Sequence, residues 1–407
     1  MRILISAYAC EPGKGSEPEV GLRAVLTAAS RHQVWVITRE NNVPPLRAFL
    51  AGHPLESNIE LVGLEVPGPA LRLKKLGGLV MLNLYYHLWQ RRLRELAVRL
   101  DAEIDFDLVH HVTFATYWSH AGVAAVSKPF VWGPLGGGVR PPLKLVPAMG
   151  PRGAVTDIVR VYARPLIARM TGVRRTAQRA AVIIAQNPET SHAIGHEAKT
   201  LILPNALFAA QSLPEADSHL TSPSIVSVGR LIGLKGLALA LAAMTHLDDQ
   251  TLEIFGDGPD RRRLERLAQQ LGVDDRVRFR GQVPRDDVLD AVAKAQAFLH
   301  PSLHDEAPLA MVEALALGTP VVCLDRGGPP VLIAHWPLVP SRAVTPSSPE
   351  ITARDIATAL DDVAGQRVKA DSSPSSRIVR EILAVYETLG GDESASECPR
   401  QGNLDDH

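Results

Sequence analysis

The segment IVSVGRLIGLKG, residues 225–236, decides how the second half of the chain folds. Residues 225–228 form a short apolar run that predicts a buried strand, and this run ends in Gly229 and Arg230. Lys235 then opens a helical pattern. A helix start flanked by two cations favours an anion, because free backbone N–H groups and the cations act together. The segment therefore predicts a diphosphate site, while exposed ion pairs for Arg230 and Lys235 remain the alternative.

The same alternation of short apolar runs and helical patterns extends along the whole chain. This alternation is typical of α/β proteins with parallel sheets and crossover helices. We expect two doubly wound, Rossmann-like domains that face each other across a cleft, with ligands at the carboxyl ends of the strands. The predicted strands are 3–7, 34–38, 59–64, 108–112, 130–133 and 182–185 in the first half, and 225–228, 252–255, 277–281, 298–300 and 321–324 in the second.

The predicted domain boundaries follow from the place where the alternation lapses. Residues 208–224 are rich in Ser, Pro and acidic residues, which indicates a linker. This linker separates an N-terminal, acceptor-binding domain at 1–207 from a C-terminal domain at 225–375. We further expect a C-terminal helix at 376–390 and a disordered polar tail at 391–407.

Composition excludes several classes of protein. With 46% hydrophobic and 21% charged residues, the 407-residue chain has a globular composition. No stretch approaches the roughly 20 uninterrupted apolar residues of a membrane-spanning helix. The three cysteines are too far apart in sequence to indicate zinc ligation or a disulfide framework. We therefore expect a cytoplasmic protein with neither a metal nor another cofactor.

The net charge of −1 conceals an asymmetry between the two halves of the chain. Residues 1–205 hold 24 Lys and Arg against 15 acidic residues, and residues 206–407 hold 19 against 29. Cations concentrate at 71–100 and 140–179. This surplus predicts an anionic partner for the N-terminal half, either a membrane surface or an acidic glycan, whereas solvated helix faces are the alternative. We do not expect a nucleic-acid partner.

A second informative segment, HPSLHDEAPLAMVEALALG at residues 300–318, leads from a strand into a helix. Pro308 stands at the position that favours proline, the first of a helix, and Glu313 lies inside that helix. A carboxylate at the ligand edge of the sheet can accept hydrogen bonds from both hydroxyls of a ribose. The alternative is that Glu313 faces solvent.

Together these features resemble the retaining glycosyltransferases of family four, which have the GT-B fold. In the N-terminal half, the resemblance is to a bacterial, surface-polysaccharide branch of that family. The matching stretches are VGRLIGLKG (228–236), FGDGP (255–259), RGQVPRDDV (280–288), HPSLHDEAPLAMVEALALGTPVV (300–322) and Gly327-Gly328, together with AYACEPGKGSEPEVG (7–21), DLVHHVTFATYW (107–118) and WGPLGGG (132–138).

The resemblance implies roles for individual residues. Arg230 and Lys235 would hold the donor diphosphate, and Glu313 would bind the nucleoside ribose. Either Asp305 or Glu306 would face the transferred sugar. The implied catalytic residues are Arg230, Lys235, Asp305 and His111; the other implied donor-binding residues are Gly15, Ser16, Gly229, Gly256, Gly258, Val283, Glu306, Ala307, Leu309 and Glu313, and the implied acceptor-binding residues are Glu17, His110, Gly136 and Gly137.

We therefore expect a metal-independent, retaining glycosyltransferase. Its donor would be a UDP-, GDP- or ADP-sugar, and its acceptor a glycan or lipid-linked intermediate of cell-surface polysaccharide synthesis. One alternative is a nucleotide-sugar-binding protein without transfer activity, since Ala307-Pro308 replaces small glycines of the family. The other is a nicotinamide-dependent oxidoreductase, because residues 13–18 approach a dinucleotide fingerprint, although Pro18 replaces its third glycine.

Overall fold

The computed structural model describes residues 1–14, 16–66, 68, 79–205, 224–371 and 373–391. The predicted linker lies outside these residues except for Ser224. The predicted tail also lies outside them, apart from Gly391. Within the described residues, no helix is long and apolar enough to span a membrane.

The first half of the chain forms a seven-stranded parallel sheet in the order β3-β2-β1-β4-β5-β6-β7. Its central strands β4 and β5 are buried along their whole lengths, as strands covered on both faces require. The strands are β1 (Arg2–Ala7), β2 (Gln33–Arg39), β3 (Ile59–Leu64), β4 (Leu108–Thr113), β5 (Phe130–Leu135), β6 (Val182–Ala185) and β7 (Thr200–Ile202). The helices are α1 (Ser16–Ala29), α2 (Val43–Leu50), α3 (Leu79–Ile104), α4 (Gly150–Met170), α5 (Val173–Arg179) and α6 (Pro188–Ile194).

The second half forms a six-stranded parallel sheet in the order β10-β9-β8-β11-β12-β13. Its strands are β8 (Ser224–Val228), β9 (Thr251–Phe255), β10 (Val277–Gly281), β11 (Ala297–His300), β12 (Val321–Leu324) and β13 (Ser341–Val344). Its helices are α7 (Leu237–Ala243), α8 (Arg261–Leu271), α9 (Arg285–Lys294), α10 (Leu309–Ala316), α11 (Gly328–His335) and α12 (Pro349–Val363). The predicted α/β class with two doubly wound sheets is confirmed.

Each sheet has one topological switch point, where the order of its strands reverses. In the first sheet this point lies between β1 and β4, and in the second it lies between β8 and β11. Ligands of open α/β sheets bind in the crevice beyond the carboxyl ends of the strands at such points. The loops that follow β8 and β11 are therefore the first place to look for a site.

Two segments cross from one half of the molecule to the other. The 3₁₀ segment Leu143–Met149 packs Leu145 and Met149 into the core of the second half. The last helix, α13 (Ser373–Leu389), packs Ile378 and Tyr386 into a core that it shares with β1 and α1. The chain therefore ties its halves together at both crossings.

A buried histidine fixes the position of α13. The Nε2–H group of His110 donates to the Gly133 carbonyl oxygen over 2.8 Å, because a carbonyl oxygen cannot donate. The other ring nitrogen, Nδ1, then accepts a hydrogen bond from the Tyr386 hydroxyl over 2.7 Å. His110 is therefore a neutral link between β4, β5 and the last helix.

We predict that Tyr386→Phe lowers the free energy of unfolding by about 1–3 kcal/mol, because it leaves the buried His110 Nδ1 without a donor. Denaturant titration of the full chain measures the loss. Thr388→Val is the matched control, since the Thr388 hydroxyl bonds only to Ala384 of its own helix. Equal stabilities for the two variants would contradict the assigned role of His110.

Candidate active site

The loops that follow β8 and β11 are held against each other at the switch point of the second sheet. Gly236 adopts the left-handed conformation, with φ of 65°, and a Cβ atom there would lie 1.9 Å from the Pro301 carbonyl oxygen. The backbone N–H of Leu303 donates to the Leu234 carbonyl oxygen over 2.8 Å. A glycine is thus required where the two loops meet, and the contact brings Lys235 next to Asp305.

Lys235 and Asp305 form a partly buried ion pair. The Lys235 ammonium group donates to Asp305 Oδ2, and His300 Nε2 lies 3.0 Å from the same oxygen. Burial alone would raise the pKa of Asp305, but Lys235 and His300 outweigh burial and hold the pKa well below its usual range. The group is therefore an ionised carboxylate that positions a lysine ammonium.

Arg230 lies two residues after the end of β8 and is exposed. Its guanidinium makes no hydrogen bond or ion pair with another described residue. The stem of Lys235 passes Gly229, where an added Cβ would lie 3.8 Å from Lys235 Cδ. The structure therefore places the Lys235 stem beside Gly229, the residue that precedes Arg230.

The predicted helix start at Lys235 is wrong in detail. Lys235 ends the 3₁₀ turn Gly233–Lys235, and α7 begins only at Leu237. The left-handed Gly236 between them interrupts the helical pattern. The two side chains, rather than the N-terminus of this short helix, carry the anion-binding character of the loop.

Gly256 and Gly258 follow β9 and pack against the loop of Arg230. A Cβ atom on Gly256 would lie 2.1 Å from the Gly229 carbonyl oxygen, and one on Gly258 would lie 2.4 Å from the Leu231 carbonyl oxygen. Side chains at either position would push the Arg230 loop away. These two predicted residues therefore shape the site through their lack of side chains.

Glu313 faces inward from α10, with 7% of its surface exposed. Nε and Nη2 of Arg285 donate to Glu313 Oε1 over 2.9 and 2.7 Å. Burial raises the pKa of Glu313, and Arg285 opposes that effect. The solvent-facing alternative for Glu313 is therefore wrong, and Oε2 is left without a partner among the described residues.

Arg285 is a site residue that sequence reasoning missed. It is the first residue of α9 and lies within the quoted stretch 280–288, where it precedes two aspartates.

Two predicted donor-binding residues lie near Arg285 and Glu313 in sequence. Val283 is half-buried and precedes Arg285 by two positions, and Leu309 is the first residue of α10. Pro308 precedes α10 as its N-cap residue rather than standing at its first helical position.

Glu306 points away from Asp305, toward the first half of the chain. Its Oε2 accepts hydrogen bonds from Asn187 Nδ2 over 2.6 Å and from the Thr190 hydroxyl over 3.1 Å. Burial raises the pKa of Glu306, while Asn187, the Gly137 backbone and Thr190 oppose the rise. The two adjacent acids thus do different things: one lies beside the candidate phosphate-binding lysine, and the other joins the two halves.

The residues that hold Glu306 were also missed. The Asn187 side chain caps α6 by accepting from the Thr190 backbone N–H over 2.9 Å, and Pro188 follows at the first helical position. This Asn-Pro sequence predicts a helix start. Nothing in the sequence alone places that start opposite Glu306, because the two lie in different halves of the chain.

Gly136 and Gly137 lie at the same junction. A Cβ atom on Gly136 would lie 3.3 Å from Glu306 Cγ, and one on Gly137, where φ is 102°, would lie 2.0 Å from the Trp118 ring. Arg164 donates to the Gly137 carbonyl oxygen over 2.8 Å. The structure thus brings these two predicted acceptor-binding residues to the acid of the opposite half. Ala307, the residue after Glu306, packs at the edge of the core.

The predicted roles of the two adjacent histidines do not fit their surroundings. His111 is buried, with Nδ1 3.1 Å from the Ser6 hydroxyl and Nε2 3.2 Å from the Tyr86 hydroxyl. Burial lowers the pKa of His111 to about 3 and that of His110 to about 4. Because both nitrogens of each ring are engaged inside the core, neither His111 nor His110 is placed to contact a sugar or an acceptor.

Glu17 connects the loops at the switch point of the first sheet. Its carboxylate accepts a hydrogen bond from the Phe114 backbone N–H over 2.9 Å, and burial raises its pKa. Ser16 begins α1, and Gly15 lies outside the described residues. Glu17 therefore anchors the loop that follows β4.

Residues 211–371 match the family model described as glycosyl transferases group 1. Over 183 residues, 42% of this chain and 47% of the relative, the chain is 31% identical to the 2-deoxystreptamine glucosyltransferase of Streptomyces kanamyceticus. Over 113 residues, 28% of this chain and 33% of the relative, it is 35% identical to the lipopolysaccharide core biosynthesis glycosyltransferase LpsE of Rhizobium meliloti. The chain thus aligns with less than half the length of each relative, and the resemblance to glycosyltransferases is confirmed for this region.

Solved structures extend the likeness over nearly the whole chain. HepE of Anabaena in complex with UDP has a TM-score of 0.56 and 19% identity, over 95% of this chain and 100% of that chain. WaaG, a glycosyltransferase involved in lipopolysaccharide biosynthesis, has a TM-score of 0.52 and 18% identity, over 97% of this chain and 98% of that chain. At such identities the likeness shows the fold, and the GT-B arrangement is confirmed.

We predict that Lys235→Met raises the pKa of His300. Burial lowers this pKa, Asp305 raises it, and the Lys235 charge lowers it further. The variant removes that last effect while Asp305 stays in place. NMR titration of the imidazole, assigned with His300→Gln, measures the change.

Lys294→Met is the control for this titration, because Lys294 pairs with Asp290 on an exposed helix face. It should leave the pKa of His300 unchanged. A His300 pKa that is the same in both lysine variants would contradict the placement of Lys235 beside Asp305 and His300.

Proposed function

We propose that this chain, which carries a glycosyl transferases group 1 domain at residues 211–371, is a retaining glycosyltransferase. It would move a sugar from a nucleotide-diphosphate sugar to an acceptor hydroxyl. The observation that carries the proposal is the grouping of Arg230, Lys235 and Asp305 at the switch point of the sheet in that domain. The solved HepE complex makes UDP-sugars the first donors to test, ahead of GDP- and ADP-sugars.

The cations account for the chemistry of the leaving group. Negative charge grows on the nucleoside diphosphate as the bond to the sugar breaks, and fixed positive groups stabilise that charge. Arg230 is available for this role, since its guanidinium has no partner among the described residues. Lys235 is held in place by Asp305, so little reorganisation is needed when the donor binds.

Glu313 suits the nucleoside end of the donor. Arg285 bonds only to Oε1, which leaves Oε2 able to accept from a ribose hydroxyl. The carboxylate is buried, and Arg285 orients it before any ligand arrives. We therefore assign Glu313 to the ribose and Arg285 to its positioning.

Asp305 is not assigned as a nucleophile. Its Oδ2 is already shared by Lys235 and His300, so attack by this oxygen on the sugar would break both contacts. We propose instead that an oxygen of the leaving diphosphate accepts the proton of the acceptor hydroxyl on the same face of the sugar. This step retains the anomeric configuration and requires no covalent intermediate with the protein.

We predict that Lys235→Ala lowers the turnover of donor hydrolysis by roughly 100-fold or more, by the loss of one preorganised positive donor. A thermal-shift screen over UDP-, GDP- and ADP-sugars identifies the donor, and release of nucleoside diphosphate without acceptor measures turnover. Lys294→Ala is the control and should retain the parent rate.

Unchanged turnover in Lys235→Ala would contradict the mechanism. Thermal stabilisation by a nucleotide sugar without any release of nucleoside diphosphate, from any of the three donors and with or without glycan acceptors, would indicate a binding protein rather than a transferase.

We propose a glycan or lipid-linked acceptor, in line with the lipopolysaccharide relatives named above. The chain would then work at the cytoplasmic face of a membrane. Arg91, Arg92 and Arg94 are exposed on α3 and support contact with an anionic surface. Each such residue near that surface contributes about 1 kcal/mol to binding.

We predict that replacing Arg91, Arg92 and Arg94 by Ser weakens salt-sensitive sedimentation with vesicles that contain phosphatidylglycerol. Replacing Arg262, Arg266 and Arg278 of the second half by Ser removes the same charge and should change sedimentation little. Absence of vesicle binding by the parent protein would end this part of the proposal.

A further inference from the structure

A second cation-lined cavity lies in the first half of the chain, outside the residues assigned to the donor. It has a volume of about 1030 Å³ and is bounded by α4, α5 and α6. Four arginines line it, and no described Asp or Glu does so: Arg140, Arg169, Arg174 and Arg175. A cavity of this size accommodates a phosphorylated small molecule or the head of a larger one.

The four arginines that line the cavity have no acidic partner among the described residues. None of their guanidinium groups makes a hydrogen bond or ion pair with another described residue. Some arginines elsewhere do pair with carboxylates, among them Arg23 with Glu19 and Arg280 with Glu253. Four unpaired like charges around one cavity repel each other, and a bound anion relieves that repulsion.

A buried tyrosine lines the same cavity. Tyr117 is only 5% exposed, yet its hydroxyl bonds to no described residue. The hydroxyl oxygen itself is not fully enclosed by the protein, so it is accessible from the cavity and can donate a hydrogen bond to a ligand there. Phosphate oxygens accept such a bond, and they also match the planar fork of arginine.

Tyr117 also connects the cavity to the candidate active site. Its backbone N–H donates to the Gly136 carbonyl oxygen over 3.2 Å, and Gly136 adjoins Glu306. The charge of Glu306 is close enough to contribute to the raised pKa of Tyr117, which burial chiefly causes and Arg164 and Arg140 oppose. The cavity thus begins beside the junction where the donor and the acceptor would meet.

The rim of the cavity is apolar and exposed. Met170 lines the cavity and is 79% exposed, and Leu166, one helical turn earlier on α4, is 59% exposed. Large apolar side chains at such exposure next to unpaired arginines are suited to a ligand that is both anionic and hydrophobic.

We propose that this cavity binds the phosphate or diphosphate group of the acceptor. The proposal rests on the proposed function, because only a transferase has an acceptor to hold. Arg174 and Arg175 contact the phosphate oxygens, and Tyr117 donates to them from the inner end. A diphosphate carried by a lipid and one carried by a soluble sugar present the same group to these residues.

Calorimetric titration of the full chain with inorganic pyrophosphate and with geranyl diphosphate tests the proposal. The titrations use the Arg230→Ala variant, which weakens the donor site and replaces an exposed residue. Adding Arg174→Ser and Arg175→Ser should weaken binding of both probes by about tenfold or more. Adding Arg262→Ser and Arg278→Ser instead, as the charge-matched control, should leave affinity within about twofold.

Tighter binding of geranyl diphosphate than of pyrophosphate assigns the group to a lipid-linked acceptor, and equal binding assigns it to a soluble one. Both results support the site if the Arg174 and Arg175 variant loses affinity. No binding, or equal affinities in the cavity variant and the control, would overturn it. Thermal shifts of the parent protein with nucleotide sugars distinguish this failure from that of the proposed function, since the parent keeps Arg230 and Lys235.

Discussion

The ion pair between Lys235 and Asp305 is the contact on which the rest of the site depends. It joins the loop after β8 to the loop after β11, so it bridges the two strands that flank the switch point. Since the pair is partly buried, each charge stabilises the other in a medium where either alone would be costly. This arrangement keeps a positive group at the place where an open α/β sheet binds its ligand.

Next to this pair, the adjacent acids Asp305 and Glu306 make contacts in different halves of the molecule. Asp305 belongs to the second half, and Glu306 bonds to Asn187 and Thr190 of the first. Asp305 and Glu306 are joined by one peptide bond. The acid that holds Lys235 is therefore directly connected to the acid at the junction between the halves. This connection gives a physical reason why the site and the relative position of the halves depend on each other.

Much of this arrangement follows from the sequence. The buried strands and the apolar face of α10 are local features, and local patterns predicted both sheets. The left-handed Gly236 was not predicted, and it moves the start of α7 from Lys235 to Leu237. The edge strands β7 and β13 were not predicted, because they are short and contain polar residues that no periodicity distinguishes from a loop. The burial of His110 and His111 was also missed, since a strand-end position does not reveal that Tyr386, from the far end of the chain, covers His110. The partner of Glu313 lay inside a quoted motif, yet only the packing of α9 on α10 shows that Arg285 reaches it.

The central claim is that Arg230 and Lys235 receive the diphosphate of a nucleotide donor while Glu313 receives its ribose. A crystal structure of the protein soaked with UDP tests it most directly. The account predicts the diphosphate within hydrogen-bond distance of both cations, and a ribose hydroxyl bonded to Glu313 Oε2. Well-ordered UDP bound elsewhere, with the pair between Lys235 and Asp305 unchanged and Arg230 still without a partner, would contradict it.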